Sequence, residues 1–493
     1  MSRAKESADA DPDGLRLPIK CDATSNGEFV PIPLSRAETA ANRAALAAAD
    51  ANARRLGSSR RRFLVSACGA ASTLLAFNAA HAAAGRTGGF YELPADAALD
   101  QQLAAASVGG DEFIFDVQGH FVDPSGRWLQ SVPAGARPFS GMPKAACAAG
   151  SGDRAYLECL GPEEFVKDVF LDSDTDMMVL SFVPSAADAE PVTIEAADAV
   201  RRIVDELEGT QRLLLHGRVN PNQAGDIERM DELAERWGIS AWKTYTQFGP
   251  DGVGFYLDDP DTGIPFAEKA RATGVKVICV HKGLPFGPQS YEHSQCHDIG
   301  RIARLYPDLT FIVYHSGFVA GQAERAFAPG AGRDGIDTLI QSLVDNGLGP
   351  GSNVYAELGS TWRYLMRDPD SAAHAVGKLL KYAGPDNVLW GTDSIWYGSP
   401  QDQIQAFRSF QIAPELRERH GYPELTPALR AKVFGLNAMV PYGIDAAEMR
   451  LRAGGDRMSA RRAAYREAPN PHFRTYGPRT RREFLALVRN GGH

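Results

Sequence analysis

The chain has 493 residues, 44% of them hydrophobic and 23% charged, with a formal net charge of −9. This is the composition of a globular protein of one large domain or two to three ordinary ones. The acidic balance excludes a chain-wide basic footprint for nucleic acid, and past residue 85 nothing is long and apolar enough to span a membrane.

Residues 1–57 are polar and Ala-rich, without sustained apolar periodicity. Ser59-Arg60-Arg61-Arg62-Phe63-Leu64 follows, then an uncharged apolar run to about Ala80. The run ends in small residues, and Ala80-His81-Ala82 or Ala82-Ala83-Ala84 has the form of a cleavage site. Twin arginine, Phe-Leu and a modest apolar run together resemble a twin-arginine export signal. The resemblance implies the twin-arginine export machinery as a partner and a periplasmic or secreted bacterial protein. It also implies that residues 1–84 are an extension outside the fold. Val65-Ser66-Ala67-Cys68 looks like a lipidation site, but Cys68 precedes most of the apolar run instead of following it. The six cysteines, Cys21, Cys68, Cys147, Cys159, Cys279 and Cys296, form no C-x-x-C pair, which argues against a zinc ribbon or redox motif. Whether Cys147 and Cys159 pair is left open.

Beyond Gly85 eight short apolar runs alternate with amphipathic stretches, at 113–117, 177–183, 212–216, 240–245, 275–280, 310–314, 354–358 and 388–392. Most are rich in Val, Ile and Leu on both faces, as parallel strands covered by helices must be. Between them, 194–207, 336–344 and 372–382 repeat apolar residues at helical spacing. The pattern predicts an α/β fold, a (β/α)8 TIM barrel, within a domain spanning 85–445. Its largest insertion, about 122–175, predicts a loop or lid near the mouth. The charged segment 446–493 reads as a solvated tail or, alternatively, a subunit contact.

Chemistry in such barrels sits at the C-terminal ends of the strands. The first run leads into Gln118-Gly119-His120, the third into His216-Gly217-Arg218. The fourth carries Lys243 and Tyr245, the fifth reaches His281 and the sixth His315. The seventh carries Glu357 and the eighth runs into Asp393. A single histidine at a strand end is usually a satisfied core residue. His120, His281, His315 and Asp393 facing one mouth instead suggest a site for a divalent cation such as zinc, manganese or iron. With an open position, such an ion makes a bound water acidic near neutral pH.

At these residues the chain resembles the amidohydrolase superfamily, and within it the amidohydrolase-related family that also contains decarboxylases. Trp242-Lys243-Thr244-Tyr245 and the closing Lys432-Val433-Phe434-Gly435-Leu436-Asn437-Ala438 share in the resemblance. It implies one divalent metal ion, zinc first and manganese or iron second, ligated by His120, His281 and Asp393. It implies His315 as a catalytic acid/base or further ligand, and Asp393 as acceptor of a proton from the attacking water. Lys243 stands on the strand where some relatives carry a carboxylated bridging lysine; here a structural or substrate-contacting role is expected. The family usually has His-x-His after the first strand, and some decarboxylases have Glu at the first position. Gln118 stands there in this chain, as a weak ligand, a substrate contact or neither.

Two reactions follow. One is hydrolysis of an amide or ester in a small molecule; Tyr245, Phe248, Trp362, Trp396 and Tyr397 hint at a planar or apolar one. The other is non-oxidative decarboxylation of an aromatic or unsaturated acid, with His315 protonating carbon and Arg218 holding the carboxylate. Glu357 is expected to contact substrate or to pair with Lys243. A third reading, a barrel that binds a small molecule without turnover, is kept alive by Gln118. Relatives are often dimers or larger, so a homo-oligomer is a further expectation.

Overall fold

The structure, a computed structural model, describes residues 16–131, 155–209, 211–285 and 290–485. Eight parallel strands pair in sequence order: β1 Phe115–Gly119, β2 Met177–Leu180, β3 Leu213–Arg218, β4 Ala241–Tyr245, β5 Val277–His281, β6 Thr310–Tyr314, β7 Val354–Glu357 and β8 Val388–Leu389. The ring closes past β8, where Val117 N donates to Trp390 O at 3.1 Å and Asp393 N to Gln118 O at 3.0 Å. Asp116 clamps this seam, its carboxylate accepting from Gln118 N at 3.0 Å and Thr392 N at 3.1 Å. Closure leaves no long unpaired edge. The expected barrel is the observed one, because strands buried on both faces must be apolar throughout. The helices at Ile194–Glu208, Ile336–Asp345 and Pro369–Tyr382 match those read from periodicity. Among the described residues no helix is long and apolar enough to cross a membrane.

The N-terminal region differs from its expectation as a separate extension. It forms α1 Arg36–Arg55, α2 Arg60–Val65 and α3 Ala67–Ala83, all folded onto the body. Ser35 and Glu38 close a capping box at the start of α1. Ala41, Ala45, Ala49 and Ala53, one per turn, are buried, and Ala45, Ala49 and Ala53 share an apolar cluster with Phe63, Leu64, Cys68 and Ala71. Phe63 and Leu64, which follow the arginines, are each only 2% exposed. Short alanine side chains let helices approach closely, but they contribute little to an apolar-periodicity signal.

The tail is also folded. The helices Ala446–Gly455 and Arg457–Glu467 present Arg450, Arg452, Arg457 and Arg461 to solvent. Arg462 turns inward, to Asp176 at 2.9 Å and the Phe170 carbonyl at 2.9 Å. Within the insertion after β1, residues 155–171 are helical. Residues 132–154 of it, with Cys147, lie outside the described residues.

Past these helices the chain returns to the barrel. His472 Nε2 lies 3.3 Å from Asp168 and 3.6 Å from Glu164. Burial alone would lower the His472 imidazolium, but Asp168 outweighs it and holds the pKa above its ordinary value. A raised folded-state pKa stabilises docking fully below the unfolded value, about 6.5, and the contribution is lost as pH rises through the folded value. Tyr476 N and Gly477 N donate to Trp396 O at 2.7 and 3.0 Å. Protection of these two amides, corrected for intrinsic exchange, is expected to fall as pH rises through the folded-state pKa of His472. His472→Gln should abolish that dependence; an unchanged profile would show that the ion pair does not hold the tail.

Candidate active site

Residues at the C-terminal ends of β1, β5, β6 and β8 come together at one mouth of the barrel. His120 Nδ1 lies 3.1 Å from the Ser181 carbonyl and His315 Nδ1 lies 2.8 Å from the Gly359 carbonyl. A carbonyl only accepts, so each Nδ1 carries a proton and each Nε2 of a neutral ring presents its lone pair to the mouth. His120 Nε2 stands 3.1 Å from Asp393 Oδ1. Gln118 Nε2 is 3.1 Å from Asp393 Oδ1, 3.4 Å from His315 Nε2 and 3.5 Å from His120 Nε2. Three acceptors thus point at one amide nitrogen, while Gln118 Oε1 is buried without a hydrogen-bond partner. As placed, Gln118 offers a donor where a ligand would offer a lone pair. The expectation of Gln118 as ligand therefore requires its amide to turn over.

His281 and His315 face each other with ring centroids 4.5 Å apart. Tyr245 stacks on His281 at 4.6 Å, and Trp396 lies against His120 at 5.9 Å. Glu28 and Asn26, from the N-terminal segment, also reach the mouth. Glu28 is 3.6 Å from His281 Nδ1 and 3.9 Å from His315 Nε2. Asn26 Nδ2 donates to Asp393 Oδ2 at 2.8 Å and to Glu28 Oε2 at 2.5 Å. Ser360 Oγ donates to Asp393 Oδ2 and meets Tyr397 Oη at 2.7 Å.

Burial pushes the His315 imidazolium down to about 4 and that of His281 well below its ordinary value, so both rings are neutral at pH 7. Burial alone would raise Asp393, but hydrogen bonding and charge from His120, then His315 and Ser360, hold it well below the carboxylate range. Burial, with Asp393 nearby, pushes Glu28 well above its ordinary value. His315, Ser316, Ser360 and Asp393 adopt positive φ of 61°, 53°, 43° and 56°. Non-glycine residues in that region are strained and cluster at functional sites.

The remaining expected residues sit differently. Lys243 Nζ is buried without a hydrogen-bond partner, 3.6 Å from the Tyr314 ring centroid and 4.6 Å from that of Tyr245. Burial lowers its pKa to about 8. Glu357 does not pair with Lys243; its carboxylate accepts from the backbone of His315 at 2.9 Å and of Gly359. A Cβ on Gly391 would come within 1.6 Å of that carboxylate, so only glycine fits there. Arg218 is 4% exposed and committed to Glu190 at 2.6 Å and Asp226 at 2.9 Å. Trp362 packs into the core against Phe407 and Phe410. Sequence reasoning missed Asn26, Glu28 and Ser360, which lie in segments without strand periodicity.

A closed (β/α)8 barrel with imidazoles and carboxylates converging at its catalytic face defines a barrel of the metal-assisted enzyme class. The chain belongs to the amidohydrolase family, whose model matches residues 115–444. No curated protein matches the sequence. Among solved structures, a TIM-barrel protein of Bordetella bronchiseptica is similar at 14% identity and TM-score 0.40, over 69% of this chain and 99% of that one. The 5-carboxyvanillate decarboxylase of Sphingomonas paucimobilis is similar at 14% and 0.41, over 68% and 100%. The dihydroorotase of Saccharomyces cerevisiae, in complex with 5-fluoroorotic acid, is similar at 11% and 0.39, over 69% and 86%. Likeness of this degree carries neither substrate nor reaction.

The donors fit the divalent metal that the family generally uses. Glu28, His281 and His315 each offer a ligand atom within 4.8 Å of the others. His120 Nε2 and Asp393 Oδ1 add two more acceptors 3.1 Å apart.

Proposed function

We propose that the protein is a hydrolase of the amidohydrolase family that cleaves an amide or ester bond in a small molecule. The convergence of His120 Nε2, His315 Nε2 and Asp393 Oδ1 on one point carries this reading. Held among these groups and His281, beside the Gln118 amide, a divalent cation, zinc first, would polarise the substrate carbonyl and acidify a water. Asp393, ionised at neutral pH, accepts the proton of the attacking water and returns it to the leaving group. Ser360 and Asn26 fix Asp393 through Oδ2 and leave Oδ1 facing the mouth. The Ser181 and Gly359 carbonyls hold the tautomers of His120 and His315. Tyr245 and Trp396 flank the imidazoles with flat apolar faces suited to a planar substrate.

Hydrolysis is favoured over decarboxylation because the cation expected to hold a substrate carboxylate is engaged within the fold. Arg218, the residue best placed for it by sequence, is spent on Glu190 and Asp226. Turnover of amide and ester panels is expected to vanish on chelation and return with zinc, manganese or iron. His281→Ala should lose the metal. Carbon dioxide release from hydroxybenzoate-type acids, without hydrolysis, would replace the hydrolase with a lyase. A parent protein that binds a small molecule but no metal would leave a binding barrel. Export belongs to this proposal in a form that keeps residues 16–84 with the folded chain. Fractionation of cells making the parent and the Arg61→Lys/Arg62→Lys variant tests it, with the variant retained in the cytoplasm.

A further inference from the structure

The N-terminal segment enters the mouth on a built turn. Ser25 Oγ donates to Phe29 O at 2.6 Å and accepts from Gly27 N at 3.0 Å, while Glu28 N donates to Asn26 Oδ1 at 3.0 Å. Gly27 has φ 98°, in the left-handed region, which a side chain there would strain. The turn aims Asn26 and Glu28 at the strand ends. From above, the tail holds it: Ser25 N donates to Pro478 O at 2.8 Å and Thr24 Oγ1 to Thr475 Oγ1 at 2.8 Å. From below, Arg363 reaches Asp22 at 2.9 Å and Phe29 packs edge-on against Tyr364 at 6.0 Å. Glu28 is thereby delivered to a fixed place, with its side chain 15% exposed.

Two features of that place call for a cation. Two carboxylates, Glu28 and Asp393, share the single amide of Asn26 in a buried mouth. A buried Glu28 carboxylate beside Asp393 is costly without a matching charge, and the buried amine of Lys243 is turned to the rings of Tyr314 and Tyr245. Moreover, the barrel lacks an acidic or imidazole side chain at position 118, where Gln118 presents its NH2 group. Resting on the metal-dependent reading above, we infer that Glu28 is a ligand of the ion held by His281 and His315, a carboxylate brought from outside the barrel that takes the place Gln118 leaves vacant. Residues 16–38 are then a permanent wall of the active site.

The test uses the full chain, its intact mass confirming that the N-terminal segment is present. Metal content by elemental mass spectrometry and zinc affinity by competition with a chromophoric chelator are measured for the parent, Glu28→Gln, His281→Ala and Glu28→Gln/Gln118→Glu. Loss of outer-shell partners of a metal costs about 10–100-fold in affinity, so removing a direct ligand should cost at least about 10-fold. Glu28→Gln is expected to bind zinc at least that much more weakly while melting normally without metal. Gln118→Glu should recover part of the loss, because it returns a carboxylate to the barrel's own position. For a variant that does not fold, cobalt-loaded parent and Glu28→Asp are compared instead; a shifted visible absorption band supports ligation, and an unchanged band overturns it. Equal affinity in parent and Glu28→Gln overturns the inference and leaves the hydrolase reading standing. Equal metal content with faster turnover identifies the segment as a plug and also overturns it. Absence of metal in the parent sinks the metal-dependent reading, and this inference with it. A mature protein that begins after Ala84 and still binds zinc likewise excludes Glu28.

Discussion

Asp393→Asn is expected to lower kcat by about 10²–10⁴-fold, the range that a positioned acid or base contributes. The carboxylate receives Gln118, Asn26 and Ser360 as donors and is held far below the usual range, so at pH 7 it is an available base. Asparagine keeps the shape but has no useful basicity, and its amide nitrogen must face a donor. That mismatch should cost about 1–3 kcal/mol of stability, a small effect beside the catalytic one. Steady-state kinetics and a melt on the same preparation separate the two. Ser360→Ala, which loosens Asp393 without removing it, should lower kcat far less. Near-parental kcat in Asp393→Asn would remove Asp393 from proton transfer and shift that role to His315, whose neutral Nε2 faces the same point.

The barrel was legible because closure and helical cover impose one rule on every strand: apolar on both faces, short and evenly spaced. For the same reason His281 stands out at the end of β5, and His120, His315 and Asp393 just past β1, β6 and β8, polar groups where apolar runs stop. What the sequence concealed has physical causes. Asn26 and Asp393 are 367 positions apart and meet only because the tail and α1 seat the turn between them. The alanine stripe of α1 buries a helix with side chains too small to register as an apolar face. Ser360 lies past β7 in a loop with positive φ, which no periodicity marks. Arg218 ends β3, yet whether an arginine meets a substrate or two neighbouring carboxylates is decided by loops that bring Glu190 and Asp226 to it.

Arg367→Ala is expected to destabilise the protein by about 3–5 kcal/mol, the range for breaking a buried ion pair on one side. Arg367 donates to Glu38 Oε1 at 2.9 Å, and the side chains are 7% and 6% exposed. It also reaches the Asp22 carbonyl at 3.2 Å, so it ties both α1 and the strand of chain before the Glu28 turn to the barrel. Burial alone would raise the Glu38 carboxyl, but Arg367, with Ser35 at the helix cap, holds it below its ordinary value. A lowered folded-state pKa contributes stability above the unfolded value, about 4.3, and loses it as pH falls through the folded value. The deficit of Arg367→Ala in denaturant titrations should therefore be full at pH 7 and shrink under acid. Arg367→Met/Glu38→Gln, which removes both charges and keeps the volume, should recover much of the loss. A deficit under 1 kcal/mol at pH 7 would mean that the N-terminal segment is only laid against the barrel. A full deficit means that Arg367 is paired within the fold by residues that resemble a leader, and that removing them would strand a buried cation.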